Sequence, residues 1–290
     1  MEIINKNHQE KREPYQPKMS IVTICYNCKD VIEKTIRSVL DLTYKNVEYI
    51  VIDGGSTDGT VDVIKKYIDG INYFVSERDK GIYDAMNKGV NAATGDWINF
   101  MNAGDFFADK DVLEQVLNMM DNEAVVVHGD CITQCKGYYY REKPVGEQYM
   151  AIRMPIIHQS AFIRLDYHKE HLYDIKFRSS GDYNFFYQCH FHDHCKFQYV
   201  PVLVSIFDNT EGMSKDNHAL SLHENLRIWN KEKDFCFRFK QESHLLKYRI
   251  IMWLKKNLYD EERNKEVGIN RARRSGWDVK IGDYWQVIHG

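Results

Sequence analysis

Four short polar clusters carry the side chains that could do chemistry, and each cluster follows an apolar run. They read CYNCKD from residue 25, DGGSTDGT from 53, SERDKG from 76 and NAGD from 102. Asp53, Asp79 and Asp105 supply carboxylates, and Lys80 adds a cation. Clustered carboxylates repel an anionic ligand unless a divalent cation lies between them. Mg²⁺ or Mn²⁺, held by one or two carboxylates and completed by phosphate oxygens, fits this pattern, and a lysine nearby would bind phosphate as a point charge.

The apolar runs before these clusters predict β-strands, and the amphipathic segments between them predict helices. The expected strands are 20–27, 47–53, 71–76 and 96–101, and the expected helices are 31–42, 61–68 with Thr60 as N-cap, and 81–93. Strands that alternate with helices of about ten residues form βαβ units, and continuous apolar strands indicate a parallel sheet covered on both faces. Ligands bind at the carboxyl edge of such sheets. We therefore expect the four clusters to converge there.

Beyond residue 108 the pattern is weaker. It predicts helices over 111–120 and from 181, and strands over 123–132, 136–141, 158–164 and 197–207. We expect an N-terminal arm (1–18), one domain (19–217, with halves 19–108 and 109–217) and a helical C-terminal extension (218–290). Residues 237–290 carry 12 Lys and Arg against 7 Asp and Glu. The helix expected at 244–260 could therefore lie on an anionic membrane surface or pack on the core with its lysines in solvent.

Composition excludes several classes of protein. The 290 residues are 43% hydrophobic and 28% charged, which is typical of a globular chain. A formal net charge of −3 disfavours a nucleic-acid partner. The first residues lack the apolar core of a signal peptide and no stretch approaches a membrane span, so we expect a cytoplasmic protein. The chain also lacks the motifs of dinucleotide-binding, P-loop and serine-hydrolase sites.

Cysteines and histidines offer two further candidate sites. The seven cysteines are an odd number without a regular framework, which favours reduced thiols. Cys25 and Cys28 have the spacing of a redox motif, although Cys25 belongs to a predicted strand rather than to a helix N-terminus. The segment HFHDHC (190–195) could bind a metal if it were a strand. The preceding residues predict a helix, which would scatter its histidines.

The ordered set SIVTICYN, DGGSTDGT and DKGIYDAMNKGVNAATGDWINFMNAGD resembles the family 2 glycosyltransferases. The resemblance covers about residues 19–210, and within the family the chain resembles the bacterial enzymes that build surface polysaccharides. It implies the GT-A fold, an α/β fold with a Rossmann-like, mostly parallel sheet flanked by helices. It also implies inverting transfer of a sugar from a nucleoside diphosphate sugar, usually UDP-linked, to a glycan or lipid-linked acceptor. The implied cofactor is a divalent metal, Mn²⁺ or Mg²⁺. The oligomeric state is not indicated.

The resemblance also assigns roles to residues. It implies that the nucleotide sugar contacts ten of them: Cys25, Tyr26, Asp53, Gly54, Asp79, Lys80, Asn87, Asn102, Ala103 and Gly104. The segment 102–105 falls on the family's DxD-type motif, with Asp105 as the expected metal ligand. Asp182, in SGDY, matches the general base that takes the proton of the acceptor hydroxyl. His158 matches the acceptor side. From the residues alone, Asp182 could be a helix-dipole aspartate and His158 a packed strand histidine.

Two other functions stay open at this point. A sugar nucleotidyltransferase on a related fold would need a glycine-rich basic loop after the first strand, where CYNCKD stands instead. A non-catalytic module that binds a nucleotide or a glycan is favoured by the altered metal motif, in which Asn102 and Gly104 replace the usual aspartates. The presence of both Asp105 and Asp182 argues against such a module.

Overall fold

A computed structural model describes residues 16–142, 144–210, 218–231, 261–274 and 278–282, together with positions 243, 246, 250 and 253. Most of the expected arm (1–18) and most of the expected basic helix (244–260) lie outside these residues, so both stay predictions. Within the part of the chain that is described, no helix has the length and apolarity needed to cross a membrane.

The first half alternates strands and helices as predicted. The elements are β1 (Met19–Cys25), α1 (Lys29–Leu40), β2 (Val47–Asp53), α2 (Thr60–Lys65), β3 (Tyr73–Ser76), α3 (Ile82–Ala92) and β4 (Trp97–Phe100). Their strands lie side by side in the order β3-β2-β1-β4 and are all parallel. All seven residues of β1 are buried, as expected of a central strand covered on both faces.

The second half extends the sheet with strands of both directions. Its elements are β5 (Phe106–Phe107), α4 (Val112–Leu117), β6 (Val126–Cys135), β7 (Tyr138–Glu142), β8 (Ala161–Arg164), α5 (Leu165–Glu170), α6 (Gly181–Phe191), β9 (Phe197–Asp208), α7 (His218–Ile228), α8 (Glu261–Arg274) and β10 (Val279–Ile281). The full path is β10-β7-β6-β8-β4-β1-β2-β3, and β9 pairs with both β6 and β5. β8 is antiparallel to both of its neighbours, β4 and β6, and so joins the two halves. The result is an α/β fold around a mostly parallel central sheet.

Two local predictions need correction, and two short elements were not predicted. Gly59, in the left-handed region at φ +99°, is the N-cap of α2, whereas Thr60 is the first helical residue. Residues 158–160 form a short 3-10 helix, so the strand predicted from 158 begins only at 161. The short elements β5 and α5 were not predicted, because two or six residues are too few for a periodic pattern.

Two apolar layers cover the sheet. Val22 and Ile50 face one layer, which contains residues of α3 and α6, while Ile21 and Val51 face the other, which contains residues of α1, α2 and α4. This alternation follows from the two-residue period of a strand. Helices therefore pack on both faces of the sheet, and the loops at its carboxyl edge begin from well-packed strands.

The beginning of the C-terminal extension packs on the domain. The indole Nε1 of Trp229 donates to Tyr183 Oη at 2.7 Å, and that hydroxyl donates to the carbonyl of Met150 at 2.7 Å. Leu226 and Ile228 of α7 are buried. Residues 218–231 thus pack against α6, whose first turn contains the expected base.

Candidate active site

A cavity of about 350 Å³ lies between α3, the turn after β4, the end of β7 and the start of α6. Its lining includes Asn102, His158 and Asp182, three of the residues that the sequence nominated, from three separate segments. The lining also includes Glu142, Gln159 and Arg178, which the sequence did not nominate. The expected base, the acceptor-side histidine and one residue of the metal motif therefore share one space.

Asp182 occupies the first turn of α6, partly open to this cavity. Its Oδ1 accepts hydrogen bonds from Tyr83 Oη at 3.0 Å and from the Tyr183 backbone N–H at 2.9 Å. Its Oδ2 has no hydrogen-bond partner among the described residues. Burial raises the pKa of this carboxyl, and the two hydrogen bonds oppose that shift. A carboxylate of raised pKa is a better proton acceptor than an ordinary aspartate.

The backbone just before α6 is held by a carboxylate from the C-terminal extension. Glu224 of α7 accepts the backbone N–H groups of Arg178, Ser179 and Ser180 at 2.7, 3.0 and 2.8 Å. The Glu224 side chain is buried, at 4% exposure. Hydrogen bonds to an ionised acceptor are stronger than neutral ones. No local sequence pattern signals this contact, because its partners are separated by more than 40 residues.

The segment Asn102–Asp105 is a turn and also lines the site. The Asp105 N–H donates to the Asn102 carbonyl at 3.0 Å, and Gly104 has φ +101°, a region that favours glycine. The Gly104 N–H donates to Thr35 Oγ1 at 2.9 Å, which fixes the turn on α1. Asn102 faces the cavity, and its Oδ1 is buried without a hydrogen-bond partner among the described residues. An unsatisfied buried amide oxygen of this kind is available to a ligand.

Asp105, the expected metal ligand, is engaged by the protein itself. It is 4% exposed, its Oδ1 accepts the Asp208 N–H at 2.9 Å and its Oδ2 accepts Gln159 Nε2 at 2.8 Å. Burial raises the pKa of this carboxyl to about 7. Across the described ranges, no group of three or more His, Cys, Asp and Glu side chains could hold a metal ion. An ion that takes most of its ligands from a diphosphate and water needs only one or two protein oxygens. Within this segment, Asn102 lines the cavity and its buried Oδ1 has no partner among the described residues, whereas Asp105 does not line the cavity.

Three of the expected nucleotide contacts meet at the edge of the sheet. A Cβ added to Gly54 would overlap Asp79 Oδ2 and would lie 3.3 Å from Tyr26 Cδ2. The Tyr26 ring is 63% exposed. An exposed aromatic ring beside a glycine offers a flat surface on which a base can stack. Asp79 Oδ1 accepts the Gly81 N–H at 2.9 Å, and the adjacent Lys80 is exposed.

Other nominated residues hold the backbone in place. Asp53 is fully buried, and its Oδ2 accepts the Ser56 N–H at 2.9 Å and Ser76 Oγ at 2.6 Å. Cys25 is buried beside it, with Sγ 3.6 Å from Asp53 Oδ1. Asp53 and Cys25 therefore organise the loop 54–56 and do not face the cavity.

Asn87 is also used structurally. Its amide nitrogen donates to the Tyr173 carbonyl at 2.9 Å, and its amide oxygen accepts the Tyr173 N–H at 2.9 Å. Ala103 sits inside the turn, where its N–H donates to the Ile24 carbonyl at 3.1 Å. Neither residue lines the cavity.

His158 lines the cavity from a packed position. It is 6% exposed, its Nε2 lies 2.9 Å from Tyr173 Oη, and its ring stacks on Phe100 with 5.3 Å between centroids. Burial lowers the pKa of His158 to about 4. The imidazole is therefore neutral near pH 7 and does not supply a positive charge to a ligand.

Among the additional lining residues, Glu142 is a second carboxyl. Burial raises its pKa, and its Oε2 accepts Thr133 Oγ1 at 3.1 Å. Gln159 connects the cavity wall to Asp105, and Arg178 contributes an exposed guanidinium. The only signal in the sequence was proximity, since Gln159 follows His158 and Arg178 lies four residues before Asp182.

The structure also describes the two alternative candidate sites, the cysteine pair Cys25 and Cys28 and the histidines of 190–195. The six cysteines within the described ranges are all free thiols. Cys25 ends β1 and Cys28 is the N-cap of α1, so the spacing spans a strand end and a helix start. The histidines of 190–195 begin on α6 and continue beyond its end, and they belong to no group of metal-binding side chains in the described part of the chain.

A family model described as glycosyl transferase family 2 matches residues 20–178. An uncharacterized glycosyltransferase of Mycobacterium tuberculosis is 38% identical over 111 residues, which are 38% of this chain and 42% of that relative. One from Haemophilus influenzae is 37% identical over 118 residues, 39% of this chain and 47% of the relative. These matches thus span less than half of either relative's length. A glycosyltransferase of PGL/p-HBAD biosynthesis from Mycobacterium bovis is 26% identical over 204 residues, 68% of this chain and 79% of the relative.

Two solved structures share the fold. Staphylococcus aureus TarS (residues 1–349) in complex with UDP-GlcNAc aligns with a TM-score of 0.59 at 16% identity, over 73% of this chain and 64% of that one. The mannosyltransferase PcManGT from Pyrobaculum calidifontis, in complex with GDP-Man and Mn²⁺, aligns with a TM-score of 0.58 at 14% identity, over 89% and 80%. At these identities the likeness establishes the fold alone, which is that of the GT-A glycosyltransferases.

Proposed function

The chain belongs to glycosyl transferase family 2, and on that premise we propose that it transfers a sugar from a nucleoside diphosphate sugar to an acceptor hydroxyl with inversion. The observation that carries this proposal is the geometry of Asp182. One carboxylate oxygen is fixed by two hydrogen bonds, and the other has no partner among the described residues of a cavity that also contains Asn102.

Inversion by direct displacement needs a single base. Asp182 Oδ2 would take the proton of the acceptor hydroxyl. At the same time the oxygen of that hydroxyl would attack the anomeric carbon, on the face opposite the leaving diphosphate. The raised pKa of Asp182 favours that transfer. Tyr83 would keep the carboxylate oriented, since it holds Oδ1 and leaves Oδ2 without a partner among the described residues. His158 would line the acceptor side as a neutral ring.

We propose that the donor's nucleotide lies at the edge of the sheet. Tyr26 would stack on the base, and the missing side chain of Gly54 would leave room beside Asp79. Lys80 would lie near the diphosphate as a point charge. Asp53 and Cys25 would support this site by holding the loop 54–56, whereas Asn87 holds the backbone of Tyr173. A UDP-linked donor is the specific proposal, in keeping with TarS, which was solved with UDP-GlcNAc.

The proposed cofactor is Mn²⁺ or Mg²⁺, which PcManGT supports through its bound Mn²⁺. Asp105 and Asn102 would supply the protein oxygens. When bound, the ion would neutralise charge on the leaving diphosphate. Asp105 would give up its hydrogen bond to Gln159 when it ligates the ion. The neighbouring Ala103 and Gly104 would leave space for the diphosphate.

We further propose that the acceptor is a glycan or a lipid-linked sugar of a bacterial surface polysaccharide, at the cytoplasmic face of the membrane. The side chains of Leu246, Ile250 and Trp253 are 60%, 50% and 60% exposed. Their spacing of four and three residues puts them on one face of a helix. Lysines and arginines are interspersed in the same segment. An exposed apolar face with nearby basic residues suits an anionic lipid surface.

The experiment that tests the function is a screen of nucleotide sugars. The full chain is incubated with UDP- and GDP-linked sugars, with Mn²⁺ or with EDTA, and the released products are separated. A transferase releases the nucleoside diphosphate slowly even when water is the acceptor, and metal should increase the rate. Release of pyrophosphate would identify a nucleotidyltransferase instead. Binding of UDP without any turnover would identify a non-catalytic module.

A further inference from the structure

A second cavity lies beside the first and is strongly basic. It has a volume of about 550 Å³ and is bounded by the segment 176–178 and by α7. Four of the seven described residues that line it carry a cationic or imidazole side chain: Lys176, Arg178, His223 and Arg227. All four are exposed at the surface of the cavity. Lysine and arginine are the side chains that bind phosphate groups, and arginine does so through two parallel hydrogen bonds.

The carboxylate in this cavity is engaged by backbone N–H groups. Among the described residues that line it, Glu224 supplies the only carboxylate. That carboxylate is buried and accepts the three backbone N–H groups of Arg178, Ser179 and Ser180. The backbone thus compensates its charge, so Glu224 does not need the neighbouring cations as partners. The described side chains that line the cavity therefore include more cations than carboxylates.

Arg227 and Arg178, the two arginines among the described lining residues, have different surroundings. The Arg227 guanidinium lies over the Phe177 ring, 4.7 Å from its centroid, which restricts its orientation. Arg178 lines this cavity and also the one that contains Asp182. Because Arg178 lines both cavities, the two adjoin at this residue.

The basic cavity lies apart from the loops that we propose for the donor. Its walls come from 176–178 and α7, and none of the polar clusters after β1, β2, β3 and β4 lines it. Tyr26, Gly54 and Asp79, which we propose for the nucleotide, are absent from its lining. The donor's own diphosphate is therefore an unsuitable occupant.

We infer that this cavity binds a phosphate group carried by the acceptor, either a phosphate within a glycan or the diphosphate that links a sugar to a lipid. The inference rests on the proposed transferase function and adds the chemical class of the acceptor. Lys176 and Arg227 would bind the phosphate oxygens, and Arg178 would bridge from the phosphate towards the sugar whose hydroxyl meets Asp182.

The test uses the full chain with UDP at saturating concentration, so that the donor site is filled. Dissociation constants are measured for three probes: geranyl diphosphate for a lipid headgroup, glucose 1-phosphate for a phosphorylated sugar, and inorganic phosphate. The variants are Lys176→Gln, Arg227→Gln and the double variant. Arg178 is left intact because it also lines the catalytic cavity. Lys65→Gln, at an exposed position of α2 outside both cavities, is the matched control.

We expect one organic phosphate to bind more tightly than inorganic phosphate. Its dissociation constant should rise about fivefold in each single variant and about twentyfold in the double variant. UDP affinity and the Lys65→Gln control should change by less than about twofold. Sensitivity confined to geranyl diphosphate assigns a lipid-linked acceptor, and sensitivity confined to glucose 1-phosphate assigns a phosphorylated glycan.

Three results would overturn the inference. The organic phosphates could bind the double variant as tightly as the wild type, inorganic phosphate could bind as tightly as both of them, or UDP affinity could fall in parallel with probe affinity. The last result would assign the cluster to the donor. Release of UDP from the donor is measured separately, so a failed transferase function and a failed phosphate site give different outcomes.

Discussion

The phenol of Tyr83 donates a 3.0 Å hydrogen bond to Oδ1 of Asp182, and this contact joins α3 to α6 across 99 residues of sequence. The two helices meet closely, since a Cβ on Gly181 would lie 2.8 Å from the Tyr83 ring. Tyr83 is buried at 5% exposure. A residue from the first half of the domain (19–108) therefore orients the expected base, which belongs to the second half (109–217).

Asp182→Asn should abolish transfer, because an amide cannot take the proton of the acceptor hydroxyl. We expect kcat to fall by about a thousandfold, while UDP binds with nearly unchanged affinity. Initial rates and calorimetric titration with UDP measure the two quantities. Transfer at the wild-type rate in this variant would remove Asp182 as the base.

Tyr83→Phe should shift the pH profile of kcat. The Tyr83 hydrogen bond lowers the pKa of Asp182, against the larger effect of burial. Without it the pKa rises further, so the acidic limb of the profile should move to higher pH. We expect kcat at pH 7 to fall by about tenfold. Tyr187→Phe, on the same helix as Asp182, is the control. If the acidic limb of the profile did not shift, Tyr83 would contribute packing but would not affect the pKa of Asp182.

Glu224→Ala should loosen the segment that leads into α6. Three backbone N–H groups would lose an ionised acceptor, and we expect the free energy of unfolding to fall by about 3 kcal/mol. Urea denaturation measures this change, and kcat should fall with it because Asp182 follows the segment directly. Glu170→Ala, an exposed glutamate on α5, is the control. Equal stability of the two variants would show that Glu224 does not hold this backbone.

Gly54→Ala should weaken UDP binding without unfolding the chain. The added methyl group would overlap Asp79 Oδ2 and crowd Tyr26, and the backbone at Gly54 does not require glycine. We expect the dissociation constant for UDP to rise about tenfold. Thr57→Ala, in the same loop, is the comparison. Wild-type affinity in Gly54→Ala would place the nucleotide elsewhere.

His128→Phe should reduce the loss in the free energy of unfolding that occurs as the pH falls. His128 is 2% exposed, and neither ring nitrogen has a hydrogen-bond partner among the described residues. Burial lowers its pKa to about 4. Protons therefore bind the unfolded chain first, and the wild type loses stability as the pH falls from about 6.5 towards 4.

The size of that effect follows from the shift. Between pH 7.5 and pH 5, His128 should cost the wild type about 2 kcal/mol that the phenylalanine variant keeps. Urea denaturation at the two pH values measures the difference, with His192→Phe at an exposed position as the control. An equal loss in the wild type and in His128→Phe would contradict the buried, uncharged state of this ring.

Much of the first half could be predicted from the sequence, and much less of the second. β2 spans 47–53 as predicted, because its apolar run is continuous and bounded by turn residues. The second half contains β5, of two residues, and β8, of four residues after a 3-10 turn. Elements this short gain their stability from strand pairing with distant segments, so periodicity does not reveal them.

The sequence by itself determined the alternation of strands and helices, the glycine turn at Asn102–Asp105 and the membership of a transferase family. These follow from local patterns, in which burial and turn chemistry repeat along the chain. Only the tertiary structure decided that Asp105 is engaged by Gln159 and Asp208, and that Glu224 holds the backbone before Asp182. Such contacts join residues 44 to 103 positions apart, so they depend on packing and leave no local pattern.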